Sequence, residues 1–305
     1  MKQITPQHIL SVDQFCKDDI EELFDLASNI SKWFEDKPKY CSSSTSESYN
    51  LYGNPGYDLS GASFDFLMAT VFFEPSTRTR LSFEAACLRL GGDIISVENA
   101  VVSSSDKKGE SLEDAMKTIS QYADVIVLRH PETGSAQRAA ENSDVPIINA
   151  GDGAGEHPTQ ALLDLYTIWK EKGTIDGLNI LFHADIEHAR TVNSLKKLLG
   201  LYDVEIKEEG LFDSEVSPQW EEADVVYVTR IQSERYSLRM NDAITQVNKN
   251  LMRKMKNDAI LLHPLPRCGE VSRDVDSDHR SAFWRQVKNG MYVRMALLKM
   301  VLGHI

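Results

Sequence analysis

Little in the 305-residue chain ties it to a membrane, a metal or a nucleic acid. Its four cysteines, Cys16, Cys41, Cys87 and Cys268, form no CxxC pair and keep no companion histidine spacing. That excludes a zinc-ligand pattern and a disulfide framework and fits a reducing compartment. Long apolar runs are missing too: none approaches the roughly 20 residues that span a bilayer, and MKQITPQHILSVDQF lacks the apolar core of a secretory signal. Positive charge is scarce, with 33 Lys and Arg against 46 Asp and Glu and a net charge of -13. A broad face for phosphate backbones or anionic lipid is thereby excluded, and any arginine cluster must be local. A glycine-rich nucleotide loop and an activated Ser or Cys motif are also absent. The expectation is a cytoplasmic protein that uses no metal or cofactor and binds neither nucleic acid nor membrane.

What is present is globular. A hydrophobic share of 42% and a charged share of 26% are ordinary for packed domains, and the length suggests two of them. Residues 18–34 predict an amphipathic helix, with Ile20, Leu23, Ala27, Ile30 and Phe34 at helical spacing. The following stretch, rich in Ser, Gly and Pro, has neither period and reads as a long loop. From Phe66 onward, short apolar strands (FLMATVFF, DIISV, DVIVLRH, VPIINAG, LNILFHA, DVVYVTR and AILLHPL) alternate with helical patterns. Helices are expected at SLEDAMKTISQY, after HPTQ, around 194–199 and near Leu251. Such alternation predicts an α/β fold of two doubly wound domains, each a parallel sheet flanked by helices. The first domain is expected over 1–155, completed by a C-terminal helix within 286–305, and the second over 156–285. Five strand ends, FFEPSTR, VLRHP, LFHAD, VTRIQ and LLHPLPR, pass straight from apolar into polar or basic residues. Ligands collect at the carboxyl ends of such strands, so these junctions are expected to face one crevice.

The first junction gathers Ser76, Thr77, Arg78 and Thr79 at a helix start, where hydroxyls, free amides and the positive end of the dipole suit phosphate. The plain alternative is a helix cap with solvated arginines, and the presence of two arginines weighs against it. Arg129 is either a strand terminus meeting water or a second anion ligand. His157 and Gln160, at i and i+3, can project together from a first helical turn, the histidine as donor to a developing oxyanion or as a satisfied structural residue. Arg190, Arg230 and Gln232 suit a substrate with carboxylates, with surface salt bridges as the alternative. In HPLPR, two prolines stiffen the loop and remove donors, so its carbonyls can accept from an amine, or the loop is a rigid turn. Together these residues suggest group transfer from a phosphorylated donor without a covalent enzyme intermediate.

PSTRTR, HPTQ and HPLPR, in this order, resemble the aspartate/ornithine carbamoyltransferases, and the similarity runs from HILSVDQF to VRMALL. The aspartate branch is the closer: ornithine enzymes carry a cysteine-containing HCLP where this chain has Pro264, and Arg230 does not suit a basic acceptor. The resemblance implies transfer of the carbamoyl group of carbamoyl phosphate to the α-amine of L-aspartate. The products would be N-carbamoyl-L-aspartate and phosphate, in de novo pyrimidine biosynthesis. It implies that Ser76, Thr77, Arg78, Thr79 and Arg129 bind the phosphate, and that Thr79, Arg129 and His157 polarise the carbamoyl oxygen. Gln160 would hold the carbamoyl amide, while Arg190, Arg230 and Gln232 bind the aspartate carboxylates and the Pro264 and Leu265 carbonyls lie near the amine. SSSDKKGES resembles a loop that inserts Ser104 and Lys108 into a neighbouring subunit's site, which implies a homotrimer with shared sites and leaves room for a regulatory chain. A binding-only paralogue is the competing class, and Arg78, Arg129, His157 and Lys108 speak against it. The chain departs from the family in a shorter stretch between Leu199 and Ala223, in Ala184 and Ala189, and in a longer serine-rich segment over 42–60.

Overall fold

A computed structural model of the protein describes residues 8–36, 66–98, 109–185, 189–210, 217–230 and 245–303. The serine-rich segment expected to be a loop lies outside them. The predicted first helix is α1 (Lys17–Glu35), which buries Ile20, Leu23, Phe24, Ala27 and Ile30. Asp18 and Asp19 sit in its first turn and Lys32 in its last, each complementing the helix dipole.

The chain divides into two compact units. The first comprises the described residues within Met1–Leu10, Asp18–Ala150 and Met291–Ile305. It contains β1 (Leu67–Phe72), α2 (Thr77–Leu90), β2 (Asp93–Glu98), α3 (Leu112–Ile119), β3 (Val125–His130) and α4 (Ser135–Glu141), and leads into β4 (Ile147–Asp152). The strands lie in the order β2-β1-β3-β4, and β1 runs parallel to both neighbours, with Met68 opposite Ile94 and Val125. Val71, Leu112, Met116, Ile126, Leu128 and Ile147 pack into one apolar cluster of this unit. Ile9 adds a single parallel bridge to β4: its N–H donates to Ile147 O at 2.8 Å and its carbonyl accepts from Asn149 N at 2.7 Å.

The second unit comprises Ser11–Lys17 and Gly151–Gly290. Its elements are α5 (Pro158–Lys172), β5 (Asn179–Ala184), α6 (Arg190–Leu199), β6 (Glu205–Gly210), α7 (Gln219–Glu222), β7 (Val225–Val228), α8 (Lys249–Met252), β8 (Ile260–Leu262) and the start of α9 (Phe283–Val301). The order is β6-β5-β7-β8, with the paired strands parallel. Leu181, Trp220, Val226, Val228, Leu251, Leu261, Val275 and Phe283 form its core. From Met291 onward α9 is grouped with the first unit, where Tyr292 stacks on Phe34 at 5.9 Å and Arg294 lies over Phe83 at 5.2 Å.

The sequence reading omits β6. EIKEEG has no apolar run, and it forms a strand because an edge position needs backbone pairing rather than two buried faces. Its ladder runs from Asn179 opposite Glu205 to Ala184 opposite Gly210. The buried Glu209 is satisfied on that edge by Trp220, whose indole N–H donates to it at 3.0 Å, and by the Ser217 hydroxyl. The final helix starts at Phe283, three residues before the expected 286, because Phe283 is fully buried in the second core. Both sheets share one winding order, in which the direction of strand addition reverses between β1 and β3 and again between β5 and β7, all of them parallel. Crevices at the carboxyl ends of strands form at such reversals.

Candidate active site

At the reversal in the first sheet, β1 delivers the chain to Glu74, Pro75 and Ser76, and α2 begins at Thr77. Ser76 is the N-cap but makes no side-chain capping bond, so its hydroxyl is not spent on the helix as the plain alternative requires. Thr79 is buried at 7% exposure, and its carbonyl accepts from the Ser82 hydroxyl at 2.9 Å. The two arginines of the motif separate. Arg80 is drawn onto the sheet, 3.0 Å from Glu98 and 3.3 Å from the Ser96 hydroxyl, whereas Arg78 stays exposed at the turn. The exposed cation of the turn is therefore Arg78, and Arg80 joins a structural network with Thr70, Glu84 and Ser96.

Arg129 stands opposite Phe72 in the register of β1 and β3, level with the end of β1. Phe73 N–H donates to Arg129 O at 2.8 Å and carries the ladder one residue past β1. The guanidinium donates to Ala150 O at 3.3 Å and pairs with Glu74 at 3.4 Å, with 12% of the side chain exposed. Such a residue is not a strand terminus meeting water. It is a cation held beside the start of α2, and the arrangement can take a phosphate between a helix N-terminus and a fixed guanidinium.

In the second unit, His157 is the N-cap of α5, Pro158 fills the first helical position, and the histidine is buried at 6% exposure. Its backbone N–H donates to the Ser194 hydroxyl at 3.3 Å, which ties the start of α5 to α6. The Gln160 side chain donates its Nε2 to Asp164 Oδ1 at 2.8 Å. Arg190 opens α6, following Ala189 as N-cap. Arg230 lies two residues beyond β7 and is half-buried, and the ends of β5 and β7 are joined by Asp185 N–H donating to the Thr229 hydroxyl at 3.3 Å.

After β8 comes the HPLPR loop. Leu265 adopts φ 59, in the left-handed region, and the Leu265–Pro266 peptide bond is cis. Leu265 N–H donates to His263 Nδ1 at 2.8 Å, so the other ring nitrogen, 2.6 Å from Glu270 Oε1, carries the proton and donates. Glu270 also accepts from Cys268 N–H at 3.0 Å, and His263 N–H donates to Gln286 Oε1 at 3.0 Å. Arg267 pairs with Asp276 and lies 4.8 Å over the Phe283 ring, so the arginine of this motif is structural. The loop is held by Glu270, His263 and Gln286, and none of the three is a candidate of the sequence reading. Asp164 is a further omission, and one signal for it exists: it lies at i+4 from Gln160 on one face of α5.

Ser104, Lys108 and Gln232 lie outside the described residues. Among the described residues no cluster of three or more His, Cys, Asp or Glu could hold a metal ion, and no helix is long and apolar enough to cross a membrane.

Comparison with known proteins gives a consistent picture. Residues 7–170 match the family model described as aspartate/ornithine carbamoyltransferase, carbamoyl-P binding domain. Residues 205–301 match the one described as aspartate/ornithine carbamoyltransferase, Asp/Orn binding domain. The chain is 48% identical over 267 residues to aspartate carbamoyltransferase 1, chloroplastic, of Pisum sativum, covering 78% of this chain and 68% of the relative. It is 42% identical to the Arabidopsis thaliana aspartate carbamoyltransferase, chloroplastic, over 99% of this chain and 79% of the relative. Among solved structures, aspartate transcarbamoylase from Trypanosoma cruzi in complex with carbamoyl aspartate and phosphate is similar at TM-score 0.80 and 34% identity, covering 97% of this chain and 95% of that one. The catalytic subunit of M. jannaschii aspartate transcarbamoylase is similar at TM-score 0.81 and 38% identity, covering 96% and 97%.

Proposed function

The chain belongs to the aspartate/ornithine carbamoyltransferase family, and on that premise we propose that it is an aspartate carbamoyltransferase acting in de novo pyrimidine biosynthesis. The observation that carries the reading is Arg129, held by Ala150 O and Glu74 level with the end of β1, beside a helix start whose Ser76 hydroxyl is not used as a cap. Structures of the Trypanosoma cruzi relative with carbamoyl phosphate and aspartate, and with carbamoyl aspartate and phosphate, support the same pair of substrates and products here.

In this reading Ser76, Thr77, Arg78 and Thr79 take the phosphate of carbamoyl phosphate together with Arg129, Ser104 and Lys108. The Thr79 hydroxyl, Arg129 and His157 donate to the carbamoyl oxygen, and Gln160 accepts from the carbamoyl amide. Arg190, Arg230 and Gln232 hold the carboxylates of aspartate, with Lys108 and the Leu265 carbonyl close by. The neutral α-amine attacks the carbonyl carbon, negative charge develops on oxygen against the fixed donors, and the C–O bond to phosphate breaks while phosphate takes the amine proton. The protein contributes orientation and preorganised charge, with no covalent intermediate.

The proposal includes a homotrimer, in which Ser104 and Lys108 of one subunit's SSSDKKGES loop complete a neighbour's site. In support, α2 exposes Leu81 and Leu88, seven residues apart on one face, and β2 exposes Ile95 and Val97 on one side of an edge strand. A cytoplasmic location belongs to the same reading, and the assembly leaves room for a regulatory chain; the Pisum sativum and Arabidopsis thaliana relatives are named chloroplastic.

The test is carbamoyl transfer by the purified chain, with carbamoyl phosphate and either aspartate or ornithine, and with Arg230→Ala as control. Carbamoyl-aspartate formation that the control loses by roughly 100-fold in kcat/KM for aspartate is the expected result. Turnover of ornithine alone would overturn the second half of the proposal, and no turnover with either amine would favour a binding-only paralogue.

A further inference from the structure

We propose that Asp164 is a positioning residue that sets which end of the Gln160 amide faces the substrate, an inference that rests on the carbamoyltransferase reading. Asp164 is fully buried in the second unit, one turn along α5 from Gln160. Three donors from three elements converge on it. Gln160 Nε2 reaches Oδ1 at 2.8 Å, Gln286 Nε2 of α9 reaches Oδ1 at 2.6 Å, and the Tyr227 hydroxyl of β7 reaches Oδ2 at 2.6 Å. An ionised carboxylate only accepts, so each amide must turn its nitrogen inward. For Gln160 the consequence is chemical. With Nε2 spent on Asp164, the outward end is the carbonyl oxygen, which can accept from an NH2 group and cannot donate to an oxyanion. The side chain thereby selects the carbamoyl amide over the carbamoyl oxygen.

The same carboxylate reaches the loop after β8. Gln286 donates to Asp164 with one end and accepts His263 N–H at 3.0 Å with the other, so its orientation is fixed as well. His263 begins the loop whose Pro264 and Leu265 carbonyls are assigned to the amine side of the reaction. Tyr227 completes the arrangement. Burial, and then the charge of Asp164, push its phenol well above the usual range, which keeps it a donor. Asp164 thus orients two sets of acceptors for N–H groups while being buried away from solvent itself.

The experiment is a double-mutant cycle read in kcat/KM for carbamoyl phosphate. Asp164→Asn alone should lower it by roughly 10- to 100-fold, the cost of misorienting one buried polar contact. Gln160→Ala should do about the same, and the double variant should lose little more than either alone. Tyr227→Phe, which removes one donor and leaves Gln160 in place, should cost stability but no more than about threefold in kcat/KM. Losses that multiply in the double variant, or a Tyr227→Phe loss equal to that of Asp164→Asn, would show a purely structural role and overturn the proposal. Gln160→Glu gives an independent reading should Asp164→Asn fail to fold. The introduced carboxyl can donate to Asp164 only when protonated, so activity relative to wild type should rise as pH falls; a ratio independent of pH would overturn the proposal. Wild-type turnover separates the two levels: an inactive wild type overturns the functional reading and this inference with it, whereas an active wild type with multiplying losses overturns the positioning role alone.

Discussion

Arg78 and Arg80 stand two positions apart in one motif and lie in different surroundings, the first exposed at the turn and the second held on the sheet. Arg80 is held by Glu98 and Ser96, and substituting it acts first on the sheet. Thr79 is the more informative target, because it is buried and its hydroxyl is separable from its packing. Thr79→Val keeps the β-branched shape and leaves the Ser82 bond to the backbone carbonyl intact. Loss of one donor to a developing oxyanion should lower kcat by about 100-fold or more, with the melting temperature changed by a few degrees at most. Steady-state kinetics beside thermal melts checks this, and an unchanged kcat would remove Thr79 from the oxyanion set. Hydroxyls and arginines at a strand-to-helix turn could be read as an anion site from spacing alone. Which arginine remains at the turn could not, since it depends on Glu98, a residue 18 positions further along the chain from Arg80.

At the scale of elements, the stability of β4 should answer to pH. Its edge is covered by the segment around Ile9, and His8 Nδ1 accepts from Ile147 N–H at 3.0 Å, which requires a neutral ring nitrogen. Burial lowers the His8 pKa below its ordinary 6.5. A folded-state value below the unfolded one means that the stabilisation is complete above 6.5 and is lost as pH falls through the lowered value. Thermal melts at about pH 8 and about pH 5 should therefore show a larger drop for wild type than for His8→Asn, which can accept without titrating. Equal drops would place the acid sensitivity elsewhere. Nothing in its spacing singles out His8 in the sequence. Buried apolar runs mark β1, β3, β5, β7 and β8 there, whereas β6 is largely exposed and carries no such run.

For the whole molecule, the two units repeat one winding order, and each has its own core. The chain passes between them at residues 10 and 11, 17 and 18, and 150 and 151, and again within α9, so neither unit is a single continuous stretch. The exposed apolar positions on α2 and β2 belong to the same scale, because a second copy of the chain would cover them in the proposed trimer. Leu81→Glu combined with Leu88→Glu places two charges on that face. Sedimentation should then show monomers in place of trimers, and carbamoyl transfer should fall by roughly 100-fold or more if neighbouring subunits complete each other's sites. An unchanged mass would show that this face is not the contact.

The amino-acid sequence by itself determined the class of fold and the chemical character of the candidate sites. Periodicity dictates which segments are buried strands and which are amphipathic helices, and a hydroxyl-rich helix start beside arginines has few physical uses other than holding an anion. It also carried the family resemblance, because PSTRTR, HPTQ and HPLPR are contiguous. Only the tertiary structure decided what depends on partners distant in the chain. The strand register sets Arg129 level with Phe72, Glu98 draws off Arg80, and Glu270 turns His263 toward Leu265. Asp164 accepts from Gln286, 122 residues away, as well as from Gln160 one turn back on its own helix. Burial is encoded locally, residue by residue, whereas the orientation of a polar group is set by whichever donor or acceptor the fold brings to it.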